Sequence, residues 1–330
     1  MSLDESTQKR VLSVLHYEHM GVGSVIRDGQ KKLGIRSAVV SAHKHPFGFV
    51  ADHVWPKRDW ISSPVYGGPR TWDRYTHHRW LTRNILRYMD WTKFFDYQVL
   101  HCHDNRRLPF YVLRHWKGRI VQHYHDPHTK AHLYDDSVPI FVSLPSLIET
   151  FPNATWIPIS VDTSVFSPWP SEIHDEVRIG YCAQSADPLK SKYIPVEEIR
   201  AAVQSIGKKA TDFPLKKIIP HDQMADYYSR IDIWVDRFGC GFYGFASIEA
   251  AAMGVPVVTQ IDDCASALVP DCPFVNTNRA ELGKILVNLV NNKSEREKLG
   301  MECREWVLKT HDYMKIAMLC LREYGRLLDI

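Results

Sequence analysis

The chain has 330 residues and a mass of 38.2 kDa, with 45% hydrophobic residues, 24% charged residues and a net charge of +3, an ordinary globular composition at a length that suits two domains. That charge falls short of a nucleic-acid footprint, and the seven scattered cysteines contain no CxxC, which excludes a disulfide framework or zinc ribbon and fits a reducing, cytoplasmic setting. No apolar run is long enough for a transmembrane helix, and residues 1–10 are too polar for a signal peptide.

Strand-like apolar runs alternate with helical patterns along almost the whole chain. The first half reads as strand 11–16, a turn at Gly21 and Gly23, helix 24–33, strand 37–42, a basic helical segment 71–95, strand 98–103, helix 108–116, and strands 119–125, 139–144 and 155–159. Residues 161–172, VDTSVFSPWPSE, lack periodicity and read as a linker. The second half reads as strand 177–183, helix 195–206, strand 216–220, helix 223–229, strands 231–236, 255–260 and 274–276, helix 280–290 and a final helix 311–328. Two successive βα series predict two parallel-sheet domains, 1–165 and 166–310. In such sheets ligands bind outside the carboxyl ends of the strands, where His16, His101, His103, His123, His125 and Asp236 all stand. The expected ligand site is the cleft between the two domains.

Gly21-Val22-Gly23 follows a strand and opens a helix, the setting of a phosphate-binding turn or of a plain tight turn. It lacks a third glycine, and no acidic residue ends strand 37–42, so a dinucleotide fingerprint is incomplete. Alternation along a strand puts His101 with His103, and His123 with His125, on common faces. No spacing matches a zinc signature, and the expectation is no metal, with a cleft histidine acting as hydrogen-bond donor or acid. Arg79, Arg83 and Arg87 recur every four residues beside Trp80 and Trp91, a basic ridge that suits an anionic membrane surface or an acidic acceptor if it is not simply a solvated face.

Residues 236–260, DRFGCGFYGFASIEAAAMGVPVVTQ, carry the densest signal. Between Phe245 and Val258 only Ser247 and Glu249 are polar, and a carboxylate placed among Ile248, the alanines and Met253 needs a donor, either on a ligand or on a core arginine. The glycines before it let the backbone approach another group, and the helix start at Gly244, Phe245 and Ala246 offers N–H groups to a phosphate.

This turn–helix–strand motif resembles the signature of the retaining nucleotide-sugar glycosyltransferases of family 4, the "group 1" transferases. Residues 11–42, 99–104, 157–168 (IPISVDTSVFSP) and 218–236 (IIPHDQMADYYSRIDIWVD) are similar to further stretches of that family, so the likeness covers most of the chain. The resemblance implies an α/β, GT-B fold: two Rossmann-like parallel-sheet domains facing a central cleft, with the C-terminal helix 311–330 packing back on the first. It implies transfer of a sugar from a UDP-, GDP- or ADP-sugar donor to an unidentified hydroxyl acceptor (sugar, lipid-linked or small molecule), with no obligatory cofactor or metal. Residue by residue, Glu249 would hold the donor ribose, and Gly244, Phe245 and Ala246 would meet the diphosphate. Lys190 would neutralise the leaving group, His125 would stand near the transferred sugar, and Gly21 with Gly23 would face the phosphates. Gly241 stands where the family has a glutamate that contacts the donor hexose, and Asp236 is the expected substitute. An epimerase, a catalytically silent nucleotide-sugar binder and a histidine-based metal hydrolase are the alternatives, and the basic ridge adds a peripheral contact at the inner face of the membrane.

Overall fold

The computed structural model describes residues 12–18, 21–41, 49–54, 90–104, 108, 110–126, 129, 132, 137–169, 175–182, 193–215 and 219–329. They form two compact units, Met1–Ser160 with Tyr313–Ile330, and Val161–Asp312. The first unit runs β1 (Ser13–Glu18), α1 (Val22–Lys32), β2 (Arg36–Ser41), β3 (His53–Val54), β4 (Val99–His103), α2 (Phe110–His115), β5 (Arg119–Tyr124), β6 (Ile140–Val142), α3 (Leu147–Thr150) and β7 (Thr155–Trp156). The second runs β8 (Val177–Cys182), α4 (Val196–Ile206), β9 (Ala210–Leu215), α5 (Met224–Tyr228), β10 (Ile233–Val235), α6 (Phe245–Ala252), β11 (Val257–Thr259), α7 (Asp263–Ser266), β12 (Val275–Asn276), α8 (Arg279–Asn291) and α9 (Lys293–Thr310). The chain then returns to the first unit as α10 (Tyr313–Leu328).

Both sheets are parallel throughout their described pairs. The seven-stranded sheet has the order β3-β2-β1-β4-β5-β6-β7, and the five-stranded sheet the order β12-β11-β10-β8-β9. These are the two common doubly wound orders, with switch points between β1 and β4 and between β8 and β10. Val14, Leu15, Val39, Val40, Val99 and Leu100 are fully buried, as strands covered by helices on both faces require. In the second unit Ile179, Ile233, Val258, Leu282 and Leu286 form the corresponding core.

Helix α10 lies along α1, and Gly29 sets how closely they approach. A Cβ there would sit 2.8 Å from both Ala317 Cβ and the Tyr313 carbonyl oxygen. The Lys32 amine lies 4.7 Å from the centre of the Tyr313 ring, adding a cation–π contact to the same seam.

Two sequence expectations need correction or fall outside view. A strand not expected from sequence stands at Ala210–Leu215, with Pro214 inside it, while residues 216–218 of the strand expected at 216–220 lie outside the described residues. Among the described residues this strand is the edge of the sheet, paired to β8, and a proline is tolerated there because one side of the strand needs no donor. The basic ridge at Arg79, Arg83 and Arg87 lies outside the described residues. Of the segment to which it belongs, Trp91–Phe94 forms one 3-10 turn capped by Asp90, which accepts from Thr92 N–H at 3.2 Å. No described helix is long and apolar enough to cross a membrane.

Candidate functional site

In the second unit the chemistry gathers at the carboxyl end of β10. The chain leaves β10 at Asp236, turns through Gly239 and Gly241, and enters α6 at Phe245. Asp236 is 6% exposed, and both its oxygens serve this turn. Oδ2 accepts from Gly244 N–H at 2.8 Å and from the Ser247 hydroxyl, and Oδ1 accepts from Arg237 N–H at 2.8 Å. The carboxylate expected to replace the missing glutamate is thus engaged in starting the helix. Ser247 N–H returns to Gly244 O at 3.1 Å, and the N–H groups of Phe245 and Ala246 have no hydrogen-bond partner among the described residues. Both residues are half-exposed, so α6 presents free donors and the positive end of its dipole.

Glu249 sits one turn into α6, 7% exposed among fully buried Ile248, Ala250, Ala251 and Ala252. Its donors within the chain are a histidine and a tyrosine, not an arginine. His221 Nε2 lies 2.9 Å from Oε1, and the Tyr228 hydroxyl donates to Oε2 at 2.9 Å. Burial, reinforced by the nearby carboxylate, pushes Tyr228 well above the usual phenol value, so it stays a donor. Each carboxylate oxygen accepts one bond here and has room for one more, so Glu249 retains capacity for two further donors. No sequence spacing signals the His221 and Tyr228 partners, which come from a 3-10 turn and from the end of α5.

Gly241 adopts φ +72°, and a Cβ there would lie 2.3 Å from Asp262 Oδ2. The position that carries glutamate in the resembled family therefore cannot accept a side chain unless Asp262 moves, and Asp262 is itself exposed at the carboxyl side of β11. Lys190 lies within 183–192, outside the described residues.

In the first unit Gly21, at φ +85°, caps α1, and Gly23 lies in its first turn. In the same unit five histidines, four on three neighbouring strands and His125 directly after the third, meet across the β1–β4 switch point. Register pairs His16 with His101 and His103 with His123. A continuous hydrogen-bonded line runs from Gln30 Oε1 to His16 Nε2 (2.9 Å), His16 Nδ1 to His103 Nε2 (3.1 Å) and His103 Nδ1 to His125 Nε2 (2.9 Å). It goes on from His125 Nδ1 to Ser143 Oγ (2.9 Å), Ser143 Oγ to His123 Nε2 (2.9 Å), His123 Nδ1 to His101 Nε2 (3.1 Å) and His101 Nδ1 to Tyr324 Oη (2.6 Å). Burial lowers His16 to about 4 and His125 to about 3, and holds His101 and His123 well below the usual imidazole value. These four rings are neutral at physiological pH. Both nitrogens of His125 are engaged inside the array, so contact with a sugar through its ring would require one of these bonds to open. The sequence presented the histidines, but not Gln30, Ser143 or Tyr324.

Two Rossmann-like parallel-sheet units, each with polar groups at the switch point, define the GT-B fold, and solved structures share it. Sucrose-phosphate synthase of Thermosynechococcus elongatus matches with a TM-score of 0.62 at 14% identity, over 96% of this chain and 99% of that one. HepE of Anabaena, in complex with UDP, matches with a TM-score of 0.59 at 12% identity, over 96% and 100%. A putative UDP-N-acetylglucosamine 2-epimerase of Listeria monocytogenes matches with a TM-score of 0.58 at 12% identity, over 96% and 97%. By sequence, no family model and no curated protein matches the chain.

Proposed function

We propose that the protein is a retaining, family 4-like glycosyltransferase that moves a sugar from a nucleoside diphosphate sugar to a hydroxyl acceptor, with the donor on the 161–312 unit. The observation that carries this reading is the pairing, on one helix, of free N–H groups at Phe245 and Ala246 with a nearly buried carboxylate four residues on that keeps two accepting positions open. The first suits a diphosphate and the second a pair of ribose hydroxyls. His221 and Tyr228 hold Glu249 in its rotamer, and Asp236 holds the turn, a positioning role in place of the catalytic one expected from sequence. Lys190 and the helix dipole stabilise the departing diphosphate, and the acceptor hydroxyl passes its proton to the leaving phosphate, so the step needs neither a strong protein base nor a metal. His125 with Gly21 and Gly23 belongs to the acceptor-binding unit. HepE, of the same fold, was crystallised with UDP and with UDP-glucose, which supports a nucleotide-sugar donor.

The test is thermal shift with UDP, GDP, ADP and their sugars, since a ligand at 100 times its Kd adds about 2.7 kcal/mol of stability. Calorimetry on Glu249→Ala follows, with an expected loss of about 1.5–3 kcal/mol in nucleotide affinity. Unchanged affinity in a folded variant would remove the ribose assignment. Likeness to the Listeria epimerase favours a second reading, nucleotide-sugar epimerisation. Product analysis with donor alone separates the two, because only an epimerase converts the donor without an acceptor. Binding with neither outcome would identify a silent binder.

A further inference from the structure

The line of hydrogen bonds through the five histidines has two ends, Gln30 Oε1 and the Tyr324 hydroxyl, and an inner contact of 2.9 Å between His103 Nδ1 and His125 Nε2. A neutral imidazole donates through one nitrogen and accepts through the other, so each arm can be followed atom by atom. Gln30 Oε1 only accepts. His16 therefore donates through Nε2 and accepts at Nδ1 from His103 Nε2–H, which leaves the lone pair of His103 on Nδ1.

Tyr324 can either donate or accept. When its oxygen accepts from His101 Nδ1–H, His101 Nε2 accepts from His123 Nδ1–H, and the Ser143 hydroxyl donates to His123 Nε2 while accepting from His125 Nδ1–H. The lone pair of His125 is then on Nε2. In this state the lone pairs of His103 Nδ1 and His125 Nε2 face each other across 2.9 Å; when Tyr324 donates instead, every bond of this arm reverses and His125 Nε2–H fills that contact, so a cation bound there selects the first state. His123 Nε2 carries a third lone pair. Such a gap suits a cation.

We propose that His103, His123 and His125 bind one divalent late first-row transition-metal ion, in the range cobalt to zinc. One ligand atom from each lies within 4.8 Å of the other two. Nitrogens on a tetrahedral ion at about 2.0–2.1 Å stand roughly 3.3 Å apart, so the His103–His125 pair needs to open by only a few tenths of an ångström. All three donors are imidazoles, a set that suits these ions and not calcium or magnesium. Behind each ligand stands a group that fixes its ring: His16 and Gln30 behind His103, Ser143 behind His125, and His101 with Tyr324 behind His123. Access is by way of half-buried His125. The other triad, His16, His101 and His103, is fully buried beneath Gln30 and Tyr324, themselves at 0% exposure. The site lies wholly within the first unit and is independent of the nucleotide reading.

The experiment titrates the untagged, chelator-treated full chain with Co²⁺ and Zn²⁺, followed by calorimetry and by the visible d–d bands of cobalt. One ion per chain is expected. His103→Gln and His125→Gln should each weaken binding by about 100-fold or more, while exposed His115→Gln leaves it unchanged. Circular dichroism checks that the variants fold. If they do not, X-ray absorption at the cobalt edge of the wild-type protein reads the ligands directly and should give a nitrogen-rich shell. No saturable binding below roughly 1 mM, unchanged affinity in both folded variants, or an oxygen-only shell would overturn the proposal.

Discussion

Replacing Asp236 by alanine should destabilise the 161–312 unit by several kcal/mol, on the order of 3–5. The carboxylate accepts from Gly244 N–H, the Ser247 hydroxyl and Arg237 N–H. A bond to a charged acceptor contributes about 1.5–3 kcal/mol, and loss of a capping acceptor alone costs about 0.5–2 kcal/mol. The three bonds share one acceptor group, so their losses do not add. Ser247 is fully buried, and its hydroxyl would lose its acceptor. Together these give about 3–5 kcal/mol, or a fall in Tm of about 6–20 °C for a unit of this size. Circular dichroism melts of wild type, Asp236→Ala and Asp236→Asn would measure it. The asparagine variant keeps one accepting oxygen and should lose about half as much. A fall under about 2 °C for alanine would refute the capping account. An asparagine variant of wild-type stability without turnover would return Asp236 to catalysis.

Three further changes test other parts of the structure. Gly29→Ala should lower Tm, because overpacking against Ala317 and the Tyr313 carbonyl, about 1–3 kcal/mol, exceeds the gain in helix propensity of about 1 kcal/mol; a higher Tm would mean that α1 and α10 do not meet there. Gly241→Glu, which restores the glutamate of the resembled family, should destabilise by about 1–3 kcal/mol through its positive φ and the clash with Asp262, and adding Asp262→Ala should recover part of that in chemical denaturation; no recovery would leave the clash without weight. Lys190→Ala should reduce kcat more than donor affinity, because diphosphate charge grows as the glycosidic bond breaks, and a kcat within about twofold of wild type would leave Lys190 an ordinary surface charge.

The strands that read most clearly from sequence are those buried on both faces. In β1, β2, β4 and β8 apolar runs survive because helices cover both sides, and structure and pattern differ only by a residue or two at the ends. β9 did not read, because an edge strand keeps Pro214 and tolerates polar Thr211 and Asp212. The histidine array was half legible. Alternation put His101 with His103 and His123 with His125, but nothing local says that β1 pairs with β4, so His16 joins them only through sheet order. Glu249 stood out as a lone carboxylate in an apolar helix. Its partner His221 lies 28 residues upstream, in a turn with no periodicity to mark it.

Helix α10 belongs to the first unit but follows the whole of the second in the chain. Both crossings leave the second unit at one place, where Val161 pairs with Asp312 and donates to His311 O at 2.9 Å. During synthesis the ribosome therefore delivers the 161–312 unit complete, while the first unit waits with the Gly29 seam of α1 bare and His101 lacking its tyrosine. At about 5–20 residues per second that wait lasts many seconds. The first-made half of this protein is thus the last to finish folding, and it is the half that a nascent-chain chaperone would need to shield.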